Sequence, residues 1–242
     1  MNPDAASTFV TTRWTRVLAA RGDSDAARIA LSELCSAYYG PVVSFLTHTG
    51  CGEDDPREVA HEFFALLLAR NGVSGADPDR GRFRSYLLGA VKHHIANRRL
   101  RASREKRGGT VQHQPLESGS DTSLELPLPA PAIPGLDSLF DREWALSVVE
   151  RALAVLADEA VVAGTGPQFT ALKAWLSFDA APGSQAETAA RLGMNEGAVK
   201  VAIHRLRRRF REIIRAEIAQ TLPAGDDLDA EMRHLVEALA DR

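Results

Sequence analysis

Apolar residues recur every three or four positions along almost the whole chain, and this spacing most constrains its fold. Convincing strand-like alternation of apolar and polar residues does not occur. The pattern predicts an all-α protein. Its expected helices span 11–20, 24–38, 41–49, 55–70 and 82–106, and then 138–157, 167–178, 184–192 and 195–220. Pro41 and Pro56 stand near predicted helix starts, where proline is tolerated.

The stretch 108–137 separates the two helical sets. It opens on a pair of glycines and is rich in proline, acidic and small residues, so it offers little apolar surface to offset its ordering entropy. We therefore expect a flexible linker over 108–137 that joins two small helical domains at 9–107 and 138–220. A tail helix is expected within 221–242. The alternative is a long ordered loop inside one domain.

The overall charge gives no hint of the partner, because a net charge of -3 averages over basic and acidic segments. Cys35 and Cys51 form no C-x-x-C motif and are expected to be reduced, buried thiols. The N-terminus does not resemble a signal peptide, and no apolar run approaches the roughly 18 residues of a membrane span. These features predict a cytoplasmic protein that does not contact membranes.

The segment 184–220 has the pattern of two helices joined by a tight turn. Ser184 and Glu187 form a capping box, Gly193 ends the first helix, and Asn195 can cap the second. The second helix has an apolar face, made by Val199, Ile203, Leu206, Phe210 and Ile213. The opposite face is basic, as expected for a DNA-binding helix-turn-helix. An ordinary helical hairpin with a solvated basic face is the alternative.

Between 195 and 215 there are seven basic residues and two acidic ones. Early residues of such a helix contact base edges in the major groove, and later arginines neutralise phosphates. The expected DNA-binding residues of this segment are Lys200, Val201, His204, Arg205, Arg207, Arg208 and Arg211.

The segment 80–107 is also strongly basic, with ten Lys or Arg residues against Glu105. Phe83 and Tyr86 lie among the first arginines. Aromatic rings beside a basic groove suit single-stranded DNA, because bases stack while phosphates are neutralised. The expected contacts are Arg80, Arg82, Phe83, Arg84, Tyr86, Lys92, Arg98 and Arg99. The alternatives are core packing for the two aromatic residues and a solvated helix for the basic run.

The predicted helix 55–70 has an apolar face and a polar face that carries Glu58, His61 and Glu62. His61 and Glu62 do not complete an HExxH zinc motif, because residue 65 is alanine. Nucleophile-elbow and P-loop motifs are also missing. We therefore expect no metal, no cofactor and no enzymatic activity.

Taken together, these residues resemble the extracytoplasmic-function type of bacterial sigma factor. The segment 184–212 looks like the family's fourth region, which recognises the minus-thirty-five element. The segment 79–88, with its basic continuation, resembles the part that melts and recognises the minus-ten element. Residues 55–64 look like the helix that binds the polymerase clamp. The resemblance covers roughly 10–220, and it implies that Glu58, His61 and Glu62 contact core RNA polymerase.

Several positions depart from the family pattern. The clamp helix has Glu58-Val-Ala-His-Glu62 where the family usually has Asp-Leu-x-Gln-Glu, and Tyr86 replaces a frequent tryptophan. Val201 and Ala202 stand where the family often has polar or basic residues. The tail 223–242 is an addition, expected to restrain activity, to complete the core of the second domain or to bind another partner.

The resemblance implies a sigma factor whose partners are core RNA polymerase and promoter DNA, with an anti-sigma factor or other regulator as a further candidate. A stand-alone DNA-binding transcriptional regulator is the main alternative. An enzyme with a helical DNA-binding appendage is a weaker one.

Overall fold

The computed structural model describes residues 25–51, 54–69, 82–106, 135–176, 185–219, 222 and 227–240. These residues form α1 (Asp25–Thr49), α2 (Pro56–Ala69), α3 (Phe83–Lys106), α4 (Leu136–Val162), α5 (Gly166–Leu172), a 3-10 turn (Lys173–Leu176), α6 (Gln185–Leu192), α7 (Glu196–Ala219) and α8 (Leu228–Ala240). This part of the chain is helical without strands, which confirms the all-α prediction. The predicted helix 11–20, Ser184 of the capping box and linker residues 108–134 lie outside the described residues.

Pro41 does not separate two helices, contrary to the prediction, because α1 runs through it. A proline inside a helix lacks one backbone donor and usually weakens the helix. Here the side chains around it are buried, namely Tyr38, Val42, Phe45 and Leu46. Their burial stabilises the helix enough to continue past the missing hydrogen bond.

The chain divides into two compact units. The first contains the described residues up to Ser147 together with those from Leu222 onward, and the second is Val148–Ala219. The boundary therefore lies within α4. The predicted second domain began at residue 138, whereas residues 138–147 belong to the first unit.

The core of the first unit explains why the start of α4 belongs to it. Phe140 and Trp144 of α4 are fully buried. Phe140 meets Phe45 of α1 edge to ring, with centroids 6.0 Å apart. Residues 136–137, predicted as linker, form the first turn of this helix.

Helix α8 also belongs to the first unit and not to the second. Asp227 caps its start, since its Oδ1 accepts from the backbone N–H groups of Asp229 at 2.9 Å and Ala230 at 3.1 Å. Glu231, Leu235 and Ala238 are its buried residues. The tail helix thus contributes buried residues to the first unit, which also contains residues 138–147 of the predicted second domain.

In the second unit, the C-terminal half of α4 contacts α7. Arg151 Nε lies 3.1 Å from Glu217 Oε2, and Arg209 donates to both carboxylate oxygens of Glu159. Ala152 and Leu156 of α4 are buried, as is Ile218 of α7. These contacts anchor the long helix α7 within its unit.

Candidate nucleic-acid interface

A three-residue turn joins α6 to α7. Gly193 has φ of 63°, a left-handed conformation that side-chain-bearing residues rarely adopt. The backbone N–H of Met194 donates to Ala189 O at 2.9 Å, and that of Gly193 donates to Ala190 O at 3.3 Å. These two bonds form a Schellman motif, which ends α6.

Asn195 begins the next helix. Its side-chain Oδ1 accepts from the backbone N–H of Ala198 at 2.7 Å, and its carbonyl accepts from Val199 N–H at 3.1 Å. This is the N-cap arrangement expected from the sequence. The start of α7 is thus fixed directly after the turn.

A small apolar core holds α5, α6 and α7 together. It contains Leu172, Ala189, Val199 and Ile203, and Trp175, Leu192, Met194, Ala202 and Leu206 pack against it. Arg191 adds a hydrogen bond from its guanidinium to Ala171 O at 3.2 Å. One face of α7 is therefore covered by its neighbours.

The opposite face of α7 is exposed and basic. The exposed members of the predicted DNA-binding set are Lys200, Val201, His204, Arg205, Arg207, Arg208 and Arg211. Arg207 also donates to the backbone carbonyl of Trp175 at 3.0 and 3.1 Å. Arg208 lies 3.3 Å from Glu212, a surface pair that contributes little to stability.

Arg84 of the first unit does not present a DNA-binding surface, contrary to expectation. Its side chain is only 8% exposed. It donates to Glu231 of α8, lies 3.2 Å from Asp141 and stacks 4.5 Å from the ring centroid of Trp144. Three partners from two other helices therefore enclose the guanidinium.

Phe83 is likewise a core residue. It is 2% exposed and meets the ring of Tyr38 edge to face at 5.3 Å. Tyr86, half-buried, stacks on Phe83 with centroids 6.1 Å apart. The core-packing alternative is therefore correct for Phe83, whereas Tyr86 keeps part of its surface accessible.

The other basic residues predicted for single-stranded DNA also have internal partners. Arg82 lies 2.8 Å from Glu231, and Lys92, whose side chain is 9% exposed, lies 2.5 Å from Asp137. Arg98 pairs with Asp54 and Glu62, and Arg99 donates to the backbone carbonyls at the end of α1. Arg80 lies outside the described residues.

The polar face of α2 is accessible at Glu58 and His61. His61 Nε2 is hydrogen-bonded to the Tyr39 hydroxyl at 3.0 Å, and the two rings stack. Glu62 is half-buried and pairs with Arg98. Glu58 and His61 thus remain on one surface, while Glu62 is tied to α3.

Local environment shifts the pKa of several groups near these surfaces. Burial lowers the pKa of His94, and the nearby Glu62 carboxylate opposes that effect. The hydrogen bond from Arg209 lowers the pKa of Glu159. Burial raises the pKa of Cys35 to about 11 and also raises that of Cys51, so both thiols stay protonated near neutral pH.

The ionic cluster around Arg84 was not anticipated from the sequence. Its members, Asp141, Trp144 and Glu231, lie in segments far from Arg84 along the chain. The sequence contains one indication that Arg84 is buried. It lies on a helix close to two apolar residues, Phe83 and Leu87, and both of these are buried. Its acidic partners follow only from the packing of α4 and α8.

Within the described ranges, no group of three or more His, Cys, Asp or Glu side chains is arranged to hold a metal ion. None of the described helices is long and apolar enough to span a membrane. Comparison with protein-family models, with curated proteins and with solved structures found no match to this chain.

Proposed function

We propose that this chain is a sigma-type initiation factor that binds core RNA polymerase in the cytoplasm and directs it to promoters. The observation that carries the proposal is the exposed basic face of α7. This helix begins at the Asn195 cap, directly after the turn that ends α6. A helix presented in this way fits the major groove of duplex DNA.

The residues of α7 divide into two roles. Lys200, Val201, His204 and Arg205 lie in its first three turns and contact base edges of the minus-thirty-five element. Arg208 and Arg211 lie further along and contact phosphates, which fixes the register without recognising sequence. Arg207 is held on the carbonyl of Trp175 and positions the helix against α5 and the 3-10 turn.

In the first unit, Glu58 and His61 provide an exposed polar surface for the polymerase. Glu62 supports that surface through its ion pair with Arg98. For the minus-ten strand, the described members of the predicted set that keep accessible surface are Arg82, Tyr86, Arg98 and Arg99. Phe83 and Arg84 support them from within the core.

A stand-alone regulator of duplex DNA is the second candidate. The burial of Phe83 and Arg84 favours it, because two side chains expected to contact single-stranded DNA are unavailable. Such a regulator needs only the α7 surface and no polymerase.

Binding of labelled promoter duplexes, measured with and without bacterial core RNA polymerase, separates the two candidates. A sigma factor binds weakly alone and gains affinity and sequence preference with the core enzyme. Glu58→Lys should weaken that gain, and Glu237→Lys, an exposed change on α8 of the same unit, serves as the matched control. Tight, specific binding without polymerase would favour the regulator.

A further inference from the structure

Val201 is an apolar side chain at the centre of the exposed face of α7. It is 50% exposed. Helical geometry places Gly197 one turn before it and Arg205 one turn after it, with Lys200 and His204 to one side. A single exposed valine is ordinary on a protein surface, so the significant point is its position among cations.

The surface next to Val201 is open. Gly197 has no side chain, and a Cβ placed there would meet only the Asn195 side chain, at 3.3 Å. Gly197 and Val201 therefore form a shallow uncharged strip bordered by Lys200 and Arg205. A DNA surface can approach the helix closely along this strip.

The chemistry of the strip matches a base and not the backbone. Phosphate oxygens gain nothing from an aliphatic side chain. In the major groove the 5-methyl group of thymine is the apolar group that duplex DNA presents, and aliphatic side chains contact it. The flanking Lys200 and Arg205 keep the strip against the anionic duplex.

We propose that Val201 is a specificity-determining residue that packs against the 5-methyl group of a thymine in the minus-thirty-five element. This inference rests on the proposed function. Burial of one methyl group increases affinity by about fourfold, so thymidine is preferred over deoxyuridine at that position by about that factor.

The test removes only the methyl group. Duplexes are selected from a random library by the full chain bound to core RNA polymerase, and each thymine of the selected element is then replaced by deoxyuridine. At one position the wild-type chain should lose about fourfold in affinity. Val201→Ala, which removes two of the side chain's three carbon atoms, should lose most of this sensitivity to deoxyuridine at that position.

A matched control is Val236→Ala, since Val236 is 52% exposed but lies on α8 in the first unit. That variant should keep the wild-type sensitivity to deoxyuridine. If Val201→Ala responds to deoxyuridine as the wild type does at every thymine, the inference is overturned while the proposed function stands. Failure to select any sequence with core polymerase would overturn the proposed function, and this inference with it.

Discussion

Arg84 of α3 and Glu231 of α8 form a buried ion pair, although they lie 147 positions apart in the sequence. Arg82 binds the second carboxylate oxygen of Glu231, and Asp141 binds the Nε of Arg84. His234 of α8 also reaches Asp141, at 3.1 Å. Ion pairs thus connect α8 to Arg82 and Arg84 of the basic segment in the first unit.

Loss of the Glu231 carboxylate should destabilise the protein strongly. Glu231→Gln removes one of the two carboxylates that face the buried Arg84 guanidinium, and because Asp141 remains the loss should cost about 1–3 kcal/mol. The free energy of unfolding from urea denaturation measures this. Glu237→Gln, an exposed change on the same helix, should have almost no effect. Equal stability of both variants would contradict a structural role for α8.

The turn between α6 and α7 gives a second prediction. Gly193→Ala places a side chain in the left-handed region and should cost roughly 1–2 kcal/mol. Asn195→Ala removes the helix cap and should cost about 1 kcal/mol. The matched control is Gly166→Ala, because Gly166 has open space and no positive φ. Thermal melting of the full chain gives the comparison, and a Gly193→Ala melt equal to that of the control would contradict the turn geometry.

Arg208 and Arg211 should determine the salt dependence of DNA binding. Alanine at either position should weaken binding to all promoters and reduce the slope of log affinity against log salt by about 0.9 for each phosphate that is no longer neutralised. Arg209→Ala is the control and should keep the wild-type slope. The Arg209 guanidinium donates to the two carboxylate oxygens of Glu159 at 2.5 and 3.0 Å, so it is already neutralised within the protein. An unchanged slope in Arg208→Ala and Arg211→Ala would show that these residues do not contact phosphates.

His94 should make stability depend on pH. Burial lowers its pKa in the folded state, so its contribution is complete above the unfolded value of about 6.5 and is lost as the pH falls towards the folded value. His94→Gln should flatten the decrease in unfolding free energy as the pH falls below about 6.5. His93→Gln, an exposed neighbour, should retain it. An identical pH profile in wild type and His94→Gln would refute this assignment.

Local features of the sequence predicted local structure well. Gly193 and Asn195 mark the turn correctly, because the end of one helix and the start of the next depend on residues within a few positions. Pro41 was misleading, since the buried neighbours that carry α1 through it depend on the whole unit. The burial of Arg84 was not predictable, because its partners come from α4 and α8.

For the same reason, the sequence predicted the exposure of the site residues correctly on α7 but only in part on α3. An exposed helix face follows directly from periodicity, so the basic residues of α7 were identified as a surface. In α3 the basic residues are distributed around the helix, and periodicity alone did not separate Arg84 inside from Arg99 outside. The difference depends on which neighbouring helices supply carboxylates.

The most direct test is transcription in vitro from a promoter library by bacterial core RNA polymerase, with mapping of the transcript starts. The proposed sigma-factor role predicts discrete starts that depend on the chain, share an upstream element and are weakened by Lys200→Ala according to that element's sequence. Core polymerase that initiates identically with and without the chain would contradict it.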